Sequence, residues 1–194
     1  MFFQKKKGTY QYLKKAPVYH GIITLVLLIL PVGLFFIGYS ITGNFKNLFT
    51  VFAVLGMLPA AKYIVSFIMY LRAEKFSCKE GLYSVLKNYE GKGALIGYDY
   101  YMTSYSVNYP LYAAAAGKNC LVGLLANPKS IAKDCEEHIK EYLKKNEIND
   151  LTVKVFEASA EDKFLDRVKA LSESEDPITD TERRGFALLS SLSL

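Results

Sequence analysis

The first seventy-one residues contain no acidic side chain. Seven lysines lie there (Lys5, Lys6, Lys7, Lys14, Lys15, Lys46 and Lys62), whereas every Asp and Glu falls at Glu74 or beyond, so that from residue 72 onward 17 basic residues meet 19 acidic ones. The formal charge of +5 therefore belongs to one end of the chain. That segregation argues against a nucleic-acid-binding domain, and no nucleic acid is expected as a partner. Cysteine is scarce: Cys78, Cys120 and Cys135 occur with no C-x-x-C, which argues against a disulfide framework and the common zinc modules. Three such thiols fit a reducing compartment, where a buried Cys is a small apolar residue. G-x-S-x-G, Walker and dinucleotide-binding patterns are also missing. Gly91-Lys92-Gly93 and Gly117-Lys118-Asn119 lack the strand–loop–helix setting that cradles phosphate, so they read as turns and no cofactor is expected.

What the sequence has in abundance is apolar run. Residues 16–45 carry no formal charge when His20 is neutral. The apolar core of this run, 21–41, is long enough for the roughly 30 Å hydrocarbon layer, which takes about 20 helical residues. Only a helix satisfies its backbone there. Pro31, at the middle, is expected to bend that helix and free the carbonyl of Leu27. The run starts too late and is too long for a signal peptide. A second apolar segment, 48–71, follows after Thr42-Gly43-Asn44-Phe45-Lys46-Asn47 and is interrupted only by Lys62.

The organisation expected is a basic segment 1–20, a transmembrane helical hairpin 21–71 (21–41 and 48–71), and a cytoplasmic α+β domain 72–194. Lysines precede the first helix, Arg72, Lys75 and Lys79 follow the second, and a single lysine lies in the link. This bias predicts a two-pass protein with both termini in the cytoplasm and the bilayer as its first partner. Lys62 is a candidate intramembrane polar site, because a charge near the midplane costs at least about 2.5–3.5 kcal/mol. Against that stands a lysine that snorkels from a shorter span. Ala53, Gly56 and Ala60 share one helix face as a small-xxx-small pattern, suited to close packing within the hairpin or between copies of the chain.

Past Arg72 the periodicity changes. Leu82, Val85, Leu86 and Tyr89 mark a helix face, stopped by Gly91 and Gly93. Residues 94–105 read as a strand, Ser106-Val107-Asn108 as a turn, and 109–116 and 120–126 as further strands. Pro110 belongs near a strand start or sheet edge. Asn127-Pro128 is expected to open a helix with Ile131, Cys135, Ile139, Tyr142 and Leu143 inward. Residues 151–157 alternate as a strand. Ser159 with Asp162, and Thr179 with Glu182, are expected to cap the last two helices. The result is a mixed sheet of about four strands, a meander then strand–helix–strand, covered by helices; the final two strands are expected to pair in parallel.

That order resembles, in outline, the core of restriction-endonuclease-like domains. The resemblance would make Asp99 the first metal-binding carboxylate, followed by an E-x-K on the next strand. Cys120-Leu121-Val122-Gly123-Leu124-Leu125-Ala126 contains neither Glu nor Lys, so such a domain would be degenerate. His138, with Cys135 one turn earlier, is a thiol–imidazole pair that lacks the further ligands of a zinc site. Six tyrosines (Tyr98, Tyr100, Tyr101, Tyr105, Tyr109 and Tyr112) crowd one window. Strand alternation would place Tyr98 with Tyr100 on one face and Tyr101 with Tyr105 on the other. They form a candidate interaction surface, weighed against simple packing. The function expected is a membrane-anchored, non-enzymatic interaction or regulatory domain, with self-association or a protein partner; the alternative is a membrane-bound enzyme built on Asp99, His138 and Cys135.

Overall fold

A computed structural model describes residues 6–104, 107–128, 130–174 and 177–194. The chain divides into two compact units, Lys14–Glu74, and Lys75–Leu194 with the segment that ends at Leu13.

The first unit holds nearly all of two helices, α1 (Tyr12–Thr42) and α2 (Leu48–Ala73), both long and apolar enough to cross a membrane. α1 continues through Pro17 and Pro31. Asn47 caps α2, its side-chain oxygen accepting the Thr50 N–H at 2.8 Å. The helices mesh in antiparallel register through small residues. A Cβ on Gly21 would lie 3.1 Å from the Phe67 ring, one on Gly56 3.3 Å from the Pro31 ring, and one on Gly38 would run into Phe49. Each bulky side chain on one helix thus meets a glycine on the other. The α2 positions involved (49, 53, 56, 60, 63, 67 and 70) follow the alternating three- and four-residue steps of a coiled-coil seam. On α1 the buried Pro17, Thr24, Pro31 and Gly38 recur every seven residues.

The second unit is α+β. Its mixed sheet has the order β1 (Leu95–Thr103), β2 (Asn108–Gly117), β3 (Cys120–Leu125), β4 (Thr152–Phe156). The first three strands are antiparallel and β4 pairs β3 in parallel, as the strand–helix–strand pattern predicted. Helices α4 (Ala132–Lys145) and α6 (Asp180–Leu192) pack on one face, with Ile139, Leu143 and Leu189 meeting Leu111, Leu121 and Val153. Helices α3 (Glu80–Lys87) and α5 (Glu161–Ser172) pack on the other, with Leu82, Leu86, Phe164 and Val168 meeting Val122 and Leu124. Lys118 and Asn119, at φ 49° and 51°, form the two-residue left-handed turn that suits a hairpin's twist. Glu182 anchors it, accepting the Asn119 N–H at 2.6 Å and the Thr179 N–H at 2.7 Å. Thr179 and Glu182 make the expected capping box.

Other expectations change. Asn127-Pro128 does not open α4: the Ser130 N–H bonds the Asn127 carbonyl at 3.1 Å, closing a turn, and the helix begins only at Ala132. Ile131 consequently stands outside the helix and is exposed. α5 begins after Ala160 without a side-chain cap, so Ser159 and Asp162 form no capping box. Val85 faces outward from α3, leaving Leu82 and Leu86 as its buried stripe.

The largest departure is in β1. Asp99 adopts φ +57° and, with Tyr112 opposite, is skipped by the β1–β2 pairing. The two strands keep their register across this skipped pair, and the left-handed turn at Asp99 advances the alternation of β1 by one. Tyr98 therefore packs under α3 and α5 while Tyr100 packs under α4 and α6. The two tyrosines do not share a face.

Candidate functional site

Within the α+β unit, Asp99 is the polar group that gathers the most chain. Its carboxylate is fully buried and accepts the Cys78 N–H at 2.6 Å, the Ser77 hydroxyl at 3.0 Å and the Leu13 N–H at 3.3 Å, together with the Tyr12 N–H. Two of these donors belong to the first turn of α1, whose amides have no partner inside the helix. The others precede α3. Burial pushes the Asp99 carboxyl above its ordinary value, and the hydrogen bonds from Cys78, Ser77, Leu13 and Tyr12 pull it back. The left-handed backbone is what turns this side chain toward those donors; Asp tolerates that region better than most residues.

The carboxylate is thus consumed by its own chain, and the other members of the postulated enzyme site lie elsewhere. Asp99 bonds to Cys78, which belongs to the layer under α3 and α5, whereas Cys135 lies in the opposite layer under α4. Burial, helped by the charge of Glu136, pushes the Cys135 thiol up to about 12. Cys78 is likewise pushed up to about 12 by burial and by the charges of Asp99 and Glu161. Neither is a nucleophile near neutrality. His138 rests half-buried between the rings of Tyr109 and Tyr142, with centroids 5.3 and 5.0 Å away, and burial lowers its pKa. The site combining Asp99, His138 and Cys135 does not form. Among the described residues no group of three His, Cys, Asp or Glu is placed to hold a metal.

The tyrosines also fall differently from an exposed recognition face. Tyr98, Tyr100, Tyr101 and Tyr109 are buried and Tyr112 is half-buried; Tyr105 lies outside the described residues. Tyr98 donates to Glu90 at 2.5 Å and meets the rings of Tyr83 and Tyr10 edge-on. Tyr100 packs edge-on against Phe186. With helices on both faces of the sheet, these large rings fill the core.

In the hairpin unit, Ala53 and Ala60 are buried and Gly56 abuts Pro31, so the small-residue face is occupied within the hairpin. Lys62 is exposed beside this seam and makes no ion pair among the described residues. The polar residues turned inward are ones the charge pattern passes over. Both ring nitrogens of His20 and the hydroxyl of Thr24 are shielded from solvent without a hydrogen-bond partner among the described residues. The imidazole stacks on Tyr70 at 4.6 Å, with Tyr63 at 5.8 Å and Tyr19 at 5.5 Å. Sequence carried a faint signal for this cluster. His20 is the one side chain of 16–45 that titrates near neutrality, Thr24 follows it by one turn, and Tyr63 and Tyr70 are seven residues apart.

Comparison of the chain with protein-family models, with curated proteins and with solved structures finds no match to any of them.

Proposed function

We propose that this chain is a two-pass membrane protein whose hairpin holds the α+β unit at the cytoplasmic face, where that unit serves as a binding or regulatory module and not as an enzyme. The observation that carries the membrane reading is the inverted polarity of the hairpin. Leu25, Ile29, Leu30, Phe36, Ile37, Leu48, Val54, Leu55 and Leu58 point outward and are exposed, while glycine, alanine, threonine and proline share the seam with the rings of His20, Phe67 and Tyr70. A helix pair in water would bury the first set, and so extensive an apolar exterior is a surface for lipid. Buried core helices of a soluble protein can be equally apolar, but these two are mostly uncovered. The orientation rests on the lysine and arginine bias. The non-enzymatic reading rests on Asp99, Cys78 and Cys135, whose chemistry is absorbed by the fold.

Membrane vesicles containing the full chain test this reading. The protein is expected to stay in the pellet after alkaline carbonate extraction. Single cysteines placed at Asn44 and at Asn149 in a chain lacking its three native thiols are expected to react with an impermeant maleimide from opposite sides. Release by carbonate would overturn the membrane assignment, and labelling of Asn149→Cys from the outer side would overturn the orientation.

A further inference from the structure

The end of the hairpin that holds Lys14 and Glu74 carries a cleft of about 340 Å³. Its walls are Pro17, Val18, Ile22 and Leu25 from α1 with Phe67 and Leu71 from α2, and Gly21 forms part of the floor. Lys14 and Glu74 line the same cleft. From Lys14 to Leu25 the α1 wall runs about 16 Å at 1.5 Å per residue. The cleft is thus polar at one end and hydrocarbon-like along the rest.

Its two charges come one from each helix: Lys14 lies in the first turn of α1, and Glu74 directly follows the last residue of α2. Among the described residues neither forms an ion pair, with each other or with any other group. A ligand that brings an anion to Lys14 and a cation to Glu74 answers both charges, and the apolar walls accept its hydrocarbon.

We infer that this cleft binds a zwitterionic phospholipid bearing a primary amine, of the phosphatidylethanolamine class. Its phosphate meets the Lys14 ammonium. Its ammonium donates to the Glu74 carboxylate, and the upper part of an acyl chain lies over Ile22, Leu25 and Phe67. Glu74 is the discriminating residue. A quaternary choline has no N–H to donate, and a glycerol headgroup brings no cation.

This inference rests on the membrane reading, and the experiment separates the two. The full chain is reconstituted in vesicles of equal parts phosphatidylethanolamine, phosphatidylcholine and phosphatidylglycerol, extracted with a disc-forming polymer, and its retained lipids are quantified. Phosphatidylethanolamine is expected at several times its bulk share around the wild type. Glu74→Gln should bring it down to the phosphatidylcholine level, Lys14→Gln should lower both, and Ile22→Trp, which fills the cleft from an exposed position, should lower all bound lipid. Bulk composition around the wild type, or a preference unchanged by Glu74→Gln, overturns the lipid site. Carbonate extraction of the same vesicles reports on the membrane reading: protein retained in the pellet without enrichment overturns the site alone, and protein released overturns both.

Discussion

The two units of this chain sort their side chains by opposite rules. In the hairpin, large aliphatic side chains face outward, and the seam sets glycine, alanine, proline and threonine against a few aromatic rings. In the α+β unit, leucine, valine and tyrosine fill two layers around a sheet, and lysine and glutamate lie outside. The treatment of interior polar groups differs too. Asp99 is matched by donors from several segments, whereas His20 and Thr24 are matched by none among the described residues. Water-driven folding gives a buried charge no tolerance for missing partners. In a helix pair each backbone is already satisfied internally, so the fold can survive an unpaired side chain at a smaller cost.

The sharpest way to break this contrast is to remove the matched group. Asp99→Ala leaves the Cys78 and Leu13 amides buried without an acceptor and is expected to cost about 3–5 kcal/mol, read as a large fall in the midpoint of a circular-dichroism melt. Asp99→Asn keeps the left-handed backbone and one acceptor, so it should recover part of the loss. Next in size, Gly38→Val drives a side chain into Phe49 and is expected to cost about 2 kcal/mol by overpacking. The hairpin ends should separate, which a distance measurement between spin labels on the exposed Ile37 and Phe52 would detect. His20→Phe should act in the other direction. It keeps a ring on Tyr70 while deleting two unpaired nitrogens, and a gain of about 1 kcal/mol is expected. A lower melting temperature would show that His20 has a partner in the membrane.

The smallest effect concerns pH. Burial depresses the His138 pKa below its unfolded value, so below about pH 6.5 the unfolded chain binds more protons than the folded one. Stability is then full above that pH and is lost as pH falls through the folded pKa. His138→Gln should flatten the slope of melting temperature against pH between roughly 6.5 and 5, and an unchanged slope would exclude His138 as its source.

What was legible in the sequence was what is local or one-dimensional. The apolar runs, the Thr179–Glu182 capping box and the parallel pairing of the last two strands depend on residues close in sequence or on connection length, and each appears in the structure. The tyrosine faces did not follow, because one left-handed residue at Asp99 inverts every alternation beyond it. No pattern of apolar residues announces such a left-handed residue. Ala53, Gly56 and Ala60 were visible as a face, but the Pro31 ring that Gly56 meets becomes meaningful only once the antiparallel register is known. His20 was hidden by its neutrality: counting charges passes over the one residue whose nitrogens end up inside.

The outer edge of β1 carries one more consequence. Gly8 accepts the Tyr98 N–H at 2.9 Å, the Ser193 hydroxyl accepts the Tyr101 N–H at 2.8 Å, and the Leu194 N–H donates to the Tyr101 carbonyl at 3.0 Å. At the opposite edge the β4 amide of Val155 is taken by Glu136 at 2.9 Å. Proteins confined to a surface meet their own copies far more often than proteins in bulk, and an open strand there would seed sheet-to-sheet addition. Here the segments before and after the domain's own core serve as edge guards, so on the membrane reading proposed above, crowding in two dimensions brings whole folded units together and not their strands.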